Sequence, residues 1–173
     1  MESRRHFFAS GLTLLTLLAG CGWEPLYADR DTEVAAAELR SIRVNPIPNR
    51  VGQRLEYALR DSLNPDHVPV KQVYALQVTL STALADTGVQ SQGLGTRGDL
   101  HLYATYKLTE IASNKVLQTA SIHTVESFDI QANGYSTVVA QDDAYSRDVE
   151  LARREIVDRL TFFLQNHKAT AAS

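Results

Sequence analysis

The sequence holds a single cysteine, Cys21. A lone thiol has no partner in its own chain, so no disulfide framework staples this fold, whatever the redox compartment. Long apolar runs are almost as scarce. The one present, Phe7 to Leu18, is broken by small and hydroxyl residues and falls short of the ~20 residues a helix needs to cross a ~30 Å hydrocarbon core. Nothing downstream resembles it, so no later segment is expected to span a membrane. An excess of basic charge is also missing: 17 Lys and Arg stand against 20 Asp and Glu, a net charge of −3. Without the first twenty residues the balance is about −4, which offers no footprint for nucleic acid. The five histidines, at 6, 67, 101, 123 and 167, contain no i, i+4 pair. With the cysteine alone as well, no metal site and no cofactor are expected.

Catalytic motifs are absent in the same sense. Gly93-Leu94-Gly95-Thr96-Arg97-Gly98 satisfies the string G-x-G-x-x-G, but that string works by bringing the amides of a helix start against a pyrophosphate. The alternating pattern after it predicts a strand instead, which leaves a glycine-rich connection. Ser91, in Gly88-Val89-Gln90-Ser91-Gln92-Gly93, has the wrong spacing for a nucleophile elbow. No base is paired with it, so a hydrolase is not expected. Asp142-Asp143 read as the solvated first turns of a helix, where the dipole favours negative charge.

What is present begins with Met1-Glu2-Ser3-Arg4-Arg5-His6, the apolar run, and small residues at Ala19-Gly20. That is the layout of a secretory signal over residues 1–20. Leu18-Ala19-Gly20-Cys21 resembles the lipobox of bacterial lipoproteins, in which the cysteine thiol becomes a thioether to diacylglycerol, so Cys21 is the expected lipidation site. Each buried methylene contributes ~0.8 kcal/mol, and two or three acyl chains anchor stably. The Arg4-Arg5 pair fits either a twin-arginine or a general export signal. Gly22 after the cysteine, in place of an aspartate, favours the outer membrane.

About 150 residues remain, enough for one compact domain. Residues 21–37, with Pro25 and mixed charge, read as a lipidated tether, and residues 38–173 as the domain. A first strand is expected over roughly Leu39–Val44, stopped by Pro46 and Pro48. A helix follows from Arg50, with Asn49 as its cap and Val51, Leu55, Ala58, Leu59 and Leu63 on one stripe, ending at Asn64-Pro65. Period-two alternation predicts strands over Val73–Leu84, Leu100–Leu108 and Val116–Phe128, the last two joined at Ser113-Asn114. The polar stretch Asp86–Asp99 between the first pair reads as a mobile loop. Helical spacing returns from about Ser136, with Val149, Ala152, Ile156, Leu160, Phe163 and Leu164 on one face. The order β-α-β-β-β-α gives an α+β two-layer sandwich: a four-stranded, mostly antiparallel sheet with two helices on one face. Its other face must meet solvent or a partner.

Three segments carry a resemblance. Cys21-Gly22-Trp23-Glu24-Pro25-Leu26-Tyr27 resembles the C-G-[FW]-x-P-L-Y start of the alphaproteobacterial LptE family, the lipopolysaccharide-assembly lipoproteins. Ile47-Pro48-Asn49-Arg50-Val51-Gly52-Gln53-Arg54-Leu55 and Tyr135-Ser136-Thr137-Val138-Val139-Ala140 are similar to that family's segments in the same order. The resemblance implies an outer-membrane lipoprotein without enzymatic activity. Its partners would be the β-barrel LptD, whose polar lumen it plugs and whose assembly it assists, and lipopolysaccharide, which it meets in transit. It also implies a basic site for lipid A phosphates near the loop leading into the third strand, where Arg97 stands. The second basic position of some family members is Gln141 here, and Lys107 and Lys115 beside the following hairpin are the substitutes strand geometry suggests. The alternative is an auxiliary lipoprotein of an ABC-type phospholipid transport system, docking shuttle proteins in place of a barrel.

Overall fold

A computed structural model describes residues 31–89 and 95–171. The signal segment, Cys21, the resembling stretch 21–27 and Ser91 lie outside the described residues. The chain divides into Met1–Thr32 and Glu33–Ser173, and the elements below lie in the second unit but for the first two residues of α1. In order they are α1 (Asp31–Arg40), β1 (Ile42–Val44), α2 (Arg50–Leu63), β2 (Tyr74–Val89), β3 (Gly95–Glu110), β4 (Lys115–Asp129) and α3 (Gly134–Ala171). The sheet runs β1-β2-β3-β4, with β1 parallel to β2 and the remaining pairs antiparallel. From β1 onward this is the expected β-α-β-β-β-α order in an α+β fold.

The expected alternation sets the core. On β3, Leu100, Leu102, Ala104, Tyr106 and Leu108 are all buried. The register carries the same face onto the neighbouring strands, through Leu76 opposite Leu108, Val78 opposite Tyr106 and Ile122 opposite Ala104. Leu55, Leu59 and Leu63 of α2, with Val149, Ala152, Ile156, Leu160 and Leu164 of α3, join these strand residues, Leu100 apart, in one cluster. Both helices therefore cover one face. The 38 residues of α3 reach ~57 Å, and the 16 residues of β3 reach ~53 Å. One helix thus has the length to back the sheet.

Four expectations are corrected. The end of the tether and the start of the first strand are helical, because Glu33-Val34-Ala35-Ala36-Ala37-Glu38-Leu39-Arg40 is built of strong helix formers; β1 shrinks to Ile42–Val44. The loop expected over Asp86–Asp99 is mostly strand, with β2 and β3 pairing as far as Val89 and Gly95 and only residues 90–94 between them. Irregular steps near Gly88 accommodate the pairing, and Gly98 leaves room for Phe128, whose ring would lie 2.5 Å from a Cβ there. Asn49 does not cap α2 with its side chain. Its φ of 73° places it in the left-handed region, and its carbonyl accepts from the Gln53 amide at 2.9 Å instead. Asp142 and Asp143 lie beyond the first turn of α3, where the dipole has faded. Asp142 accepts two bonds from Arg54, at 2.8 and 3.0 Å, tying α2 to α3, while Asp143 pairs with Arg147.

The segment Ile47–Leu55 has a packing logic. Ile47 is buried, and a Cβ on Gly52 would approach its Cγ2 to 2.7 Å and its carbonyl oxygen to 3.2 Å. Buried Glu56 accepts the Ile47 amide at 2.8 Å and binds Arg60 at 2.7 Å with its other oxygen. These contacts fix how the chain leaves β1 and enters α2. At the opposite edge, α3 guards β4: Arg147 and Arg159 donate to the carbonyls of Ser127 and Ser121 at 3.1 and 3.2 Å. Engaged edge carbonyls are poor templates for another strand.

Candidate functional site

Arg97 stands at the start of β3, opposite Asp129 of β4 and Gly88 of β2, with its side chain exposed. Asp99 lies two residues on. The Ser127 hydroxyl donates to Asp99 at 2.6 Å and holds its carboxyl below the usual value; partial burial opposes this, and Thr87 and Arg97 reinforce it. The guanidinium is thus a cation on a rim that also carries carboxylates.

The first turns of α3 lie at the same end of the sheet. The Ile130 amide donates to the Thr96 carbonyl at 3.0 Å, and the Thr137 hydroxyl bonds both the amide and the carbonyl of Gln131, at 3.0 and 3.2 Å. The Asn133 side-chain oxygen accepts the Tyr135 amide at 3.1 Å. Having fixed this entry, the helix exposes Tyr135, Val138 and Val139 to 77, 62 and 50%. At i, i+3 and i+4 they form one apolar stripe. Leu84 of β2, on the helix-covered side of the sheet, is likewise exposed. Alternation puts it on the same face as Leu76 and Val78, but alternation gives the face and not how far the cover extends.

Lys107 and Lys115 do not join Arg97. Ten residues of strand separate Arg97 from Lys107, ~33 Å, and Lys115 opposes Glu110 at the far turn. Lys107 lies on the uncovered face between Gln77 and Thr119. No phosphate group bridges such a span, so the pairing suggested by the hairpin does not form. Among the described residues no cluster of three metal-ligating side chains occurs, and no helix is long and apolar enough to cross a membrane.

The uncovered face holds a cluster that single-residue reasoning missed. Tyr103 opposes His123, their ring centroids 4.3 Å apart and nearly parallel, and His101 lies diagonally from His123, Nδ1 to Nε2 at 3.1 Å. Thr105 and Ser121 share a hydroxyl bond at 2.9 Å beside them. The signal was the register of the hairpin. It is hidden because a bulge at Leu108–Thr109 shifts the pairing by one residue relative to a count back from the turn. The result is a surface of hydroxyls and rings with little charge.

No protein-family model matches the sequence, and no curated protein matches it. Solved structures do match the fold. A protein described as a lipoprotein from Caulobacter crescentus CB15 aligns with a TM-score of 0.62 at 19% identity, covering 78% of this chain and 97% of that one. Rare lipoprotein B from Shewanella oneidensis aligns at 0.51 with 11% identity, over 76% and 98%. Lipoprotein B from Nitrosomonas europaea aligns at 0.50 with 15% identity, over 71% and 83%. The chain therefore shares its fold with bacterial lipoproteins, and at these identities the likeness is one of fold.

Proposed function

We propose that this chain is a lipid-anchored outer-membrane lipoprotein of the LptE type, seated in the lumen of an LptD-like β-barrel and meeting lipopolysaccharide during its transport to the outer leaflet. The observation that carries this reading is the fold itself, which is similar to that of rare lipoprotein B, an LptE-like fold, over nearly the whole of that protein. The segments around Cys21, Gly52 and Tyr135 add their sequence resemblance. Cys21 supplies the anchor, and the uncovered face, dressed with hydroxyls and rings, suits the polar interior of a wide barrel.

For lipopolysaccharide the reading narrows to the Arg97 end. A phosphorylated, acylated glycolipid presents an anion beside hydrocarbon. Arg97 offers a guanidinium fork for phosphate, and Tyr135, Val138 and Val139 offer exposed apolar surface at the same end of the sheet. Lys107 and Lys115 fall outside this site.

The test is a mild-detergent pull-down of the C-terminally tagged chain from outer membranes, followed by mass spectrometry. A large β-barrel recovered in near-equal amount supports the reading. Recovery alone, or with inner-membrane transport components, sinks it. In the same preparation Arg97→Ala should leave barrel recovery unchanged and reduce bound lipopolysaccharide, whereas Lys115→Ala should change neither.

A further inference from the structure

We propose that the free edge of β1 is a docking site for an acidic peptide in extended conformation, which adds to the sheet as a strand beyond β1. Among the described residues, β1 is an edge strand paired only with β2. The Ser41 carbonyl accepts from the Val73 amide at 2.9 Å, and the Asn45 amide donates to the Leu76 carbonyl at 2.9 Å. Backbone groups along a strand alternate in direction, so Ile42 and Val44 turn theirs outward. The Val44 carbonyl confirms it by accepting from Arg60 at 3.3 Å. The Ile42 carbonyl and the Val44 amide remain, the acceptor and donor that an added strand engages.

These groups open onto a cleft of about 810 Å³ between β1 and the second half of α2. Arg40, Arg43 and Arg60 line it with His67 and Tyr57, against one carboxylate, Asp61. Arg43 makes no ion pair among the described residues, and Arg40 has only Asp66, in an exposed pair at 3.3 Å that stabilises little. Tyr57 is 67% exposed. The charge selects the occupant. The two sheet edges differ in degree: on β4 two arginines reach over from α3 to the strand's carbonyls, while on β1 Arg60 reaches only the Val44 carbonyl, leaving the Ile42 carbonyl and the Val44 amide without a partner among the described residues. An added strand presents side chains alternately to the two sides, and carboxylates on one side of it meet Arg43, while Arg60 stays with Glu56 and the Val44 carbonyl. This site lies on elements other than those carrying the Arg97 end and does not depend on the function proposed above.

Fluorescence anisotropy with the full chain in mild detergent tests it, using a short labelled peptide that alternates glutamate and valine. Saturable binding is expected, weakened about tenfold or more by Arg43→Glu and by N-methylation of alternate peptide amides, with the Val44 amide protected from hydrogen exchange when the peptide is bound. Arg43 is exposed, and an unchanged circular dichroism spectrum confirms that the variant folds. Equal binding of a lysine-valine peptide overturns the proposal. So does absence of binding, and so does binding that pyrophosphate abolishes and N-methylation leaves intact, which would make the cleft a simple anion site.

Discussion

On β3, Leu102, Ala104, Tyr106 and Leu108 are buried beneath helices, while His101, Tyr103, Thr105 and Lys107, each one residue away, lie on the face that nothing described covers. The same strands supply both faces, so backbone pairing is common to them and the difference is side-chain burial alone. The covered face draws its energy from apolar area removed from water, ~25 cal/mol per Å². The open face replaces this with short-range pairs, the Tyr103–His123 stack and the Thr105–Ser121 and Asp99–Ser127 hydrogen bonds, each of the kind that contributes roughly 0.2–1 kcal/mol. A sheet stabilised from one side is free to use the other for recognition.

The sharpest break of this asymmetry is Ile156→Ala. Ile156 is fully buried in the cluster that α3 shares with the strands, and removing it leaves a cavity as well as losing transfer energy, for a cost of about 2–5 kcal/mol. Urea denaturation should show the midpoint falling with little change in slope. A cost below about 1 kcal/mol would mean that α3 is not seated on the sheet as described.

The covered face also contains its own exception. Asp148 on α3 is fully buried, and neither carboxylate oxygen, nor the buried Thr124 hydroxyl, has a partner at hydrogen-bond geometry. Burial pushes its carboxyl above the ordinary 3.8, with Thr124 and the two histidines of the open face acting the other way and Glu126 adding to the rise. A raised carboxyl means that the folded chain binds the proton more tightly than the unfolded chain does. The stability this contributes is fully present below 3.8 and is lost as pH rises through the folded value. Asp148→Asn removes the charge that burial disfavours. It should be more stable than the parent at neutral pH, with the gap closing in acid, in denaturant titrations repeated from neutral to acidic pH. A gap that stays constant with pH would show that Asp148 does not titrate between folded and unfolded chains.

Much of this architecture was legible because alternation and helical spacing are one-dimensional. The two long helices and three long strands follow from apolar residues two or three to four apart, and the hairpin from Ser113-Asn114, with Asn114 at a φ of 55°. Where the pattern failed, a contact distant in sequence had decided. Gly98 reads as loop until Phe128 is placed against it, and Asp142 reads as a dipole partner until Arg54 arrives from α2. Arg97 lies within β3, opposite Asp129, and its separation from Lys107 and Lys115 needed the length of β3. The cleft at β1 was invisible because Arg40, Arg43 and Arg60 converge only after α2 packs on a three-residue strand.

The smallest expected effect on stability sharpens the comparison most. Tyr103→Ser on the open face removes the ring stacked on His123 and leaves the backbone pairing and the core intact. It should cost no more than about 1 kcal/mol, against several for Ile156→Ala. In the outer-membrane pull-down the order should reverse. Molecules of the Ile156→Ala chain that remain folded should recover the barrel as the parent does, because the substitution lies out of reach of any partner. The Tyr103→Ser chain, fully folded, should recover less. If both chains recover the barrel equally well, the open face is solvated and the proposed seating in a lumen must rest on the rims and the helices. If Tyr103→Ser instead unfolds the domain, the ring stack holds the sheet together and the division of labour between the two faces is wrong.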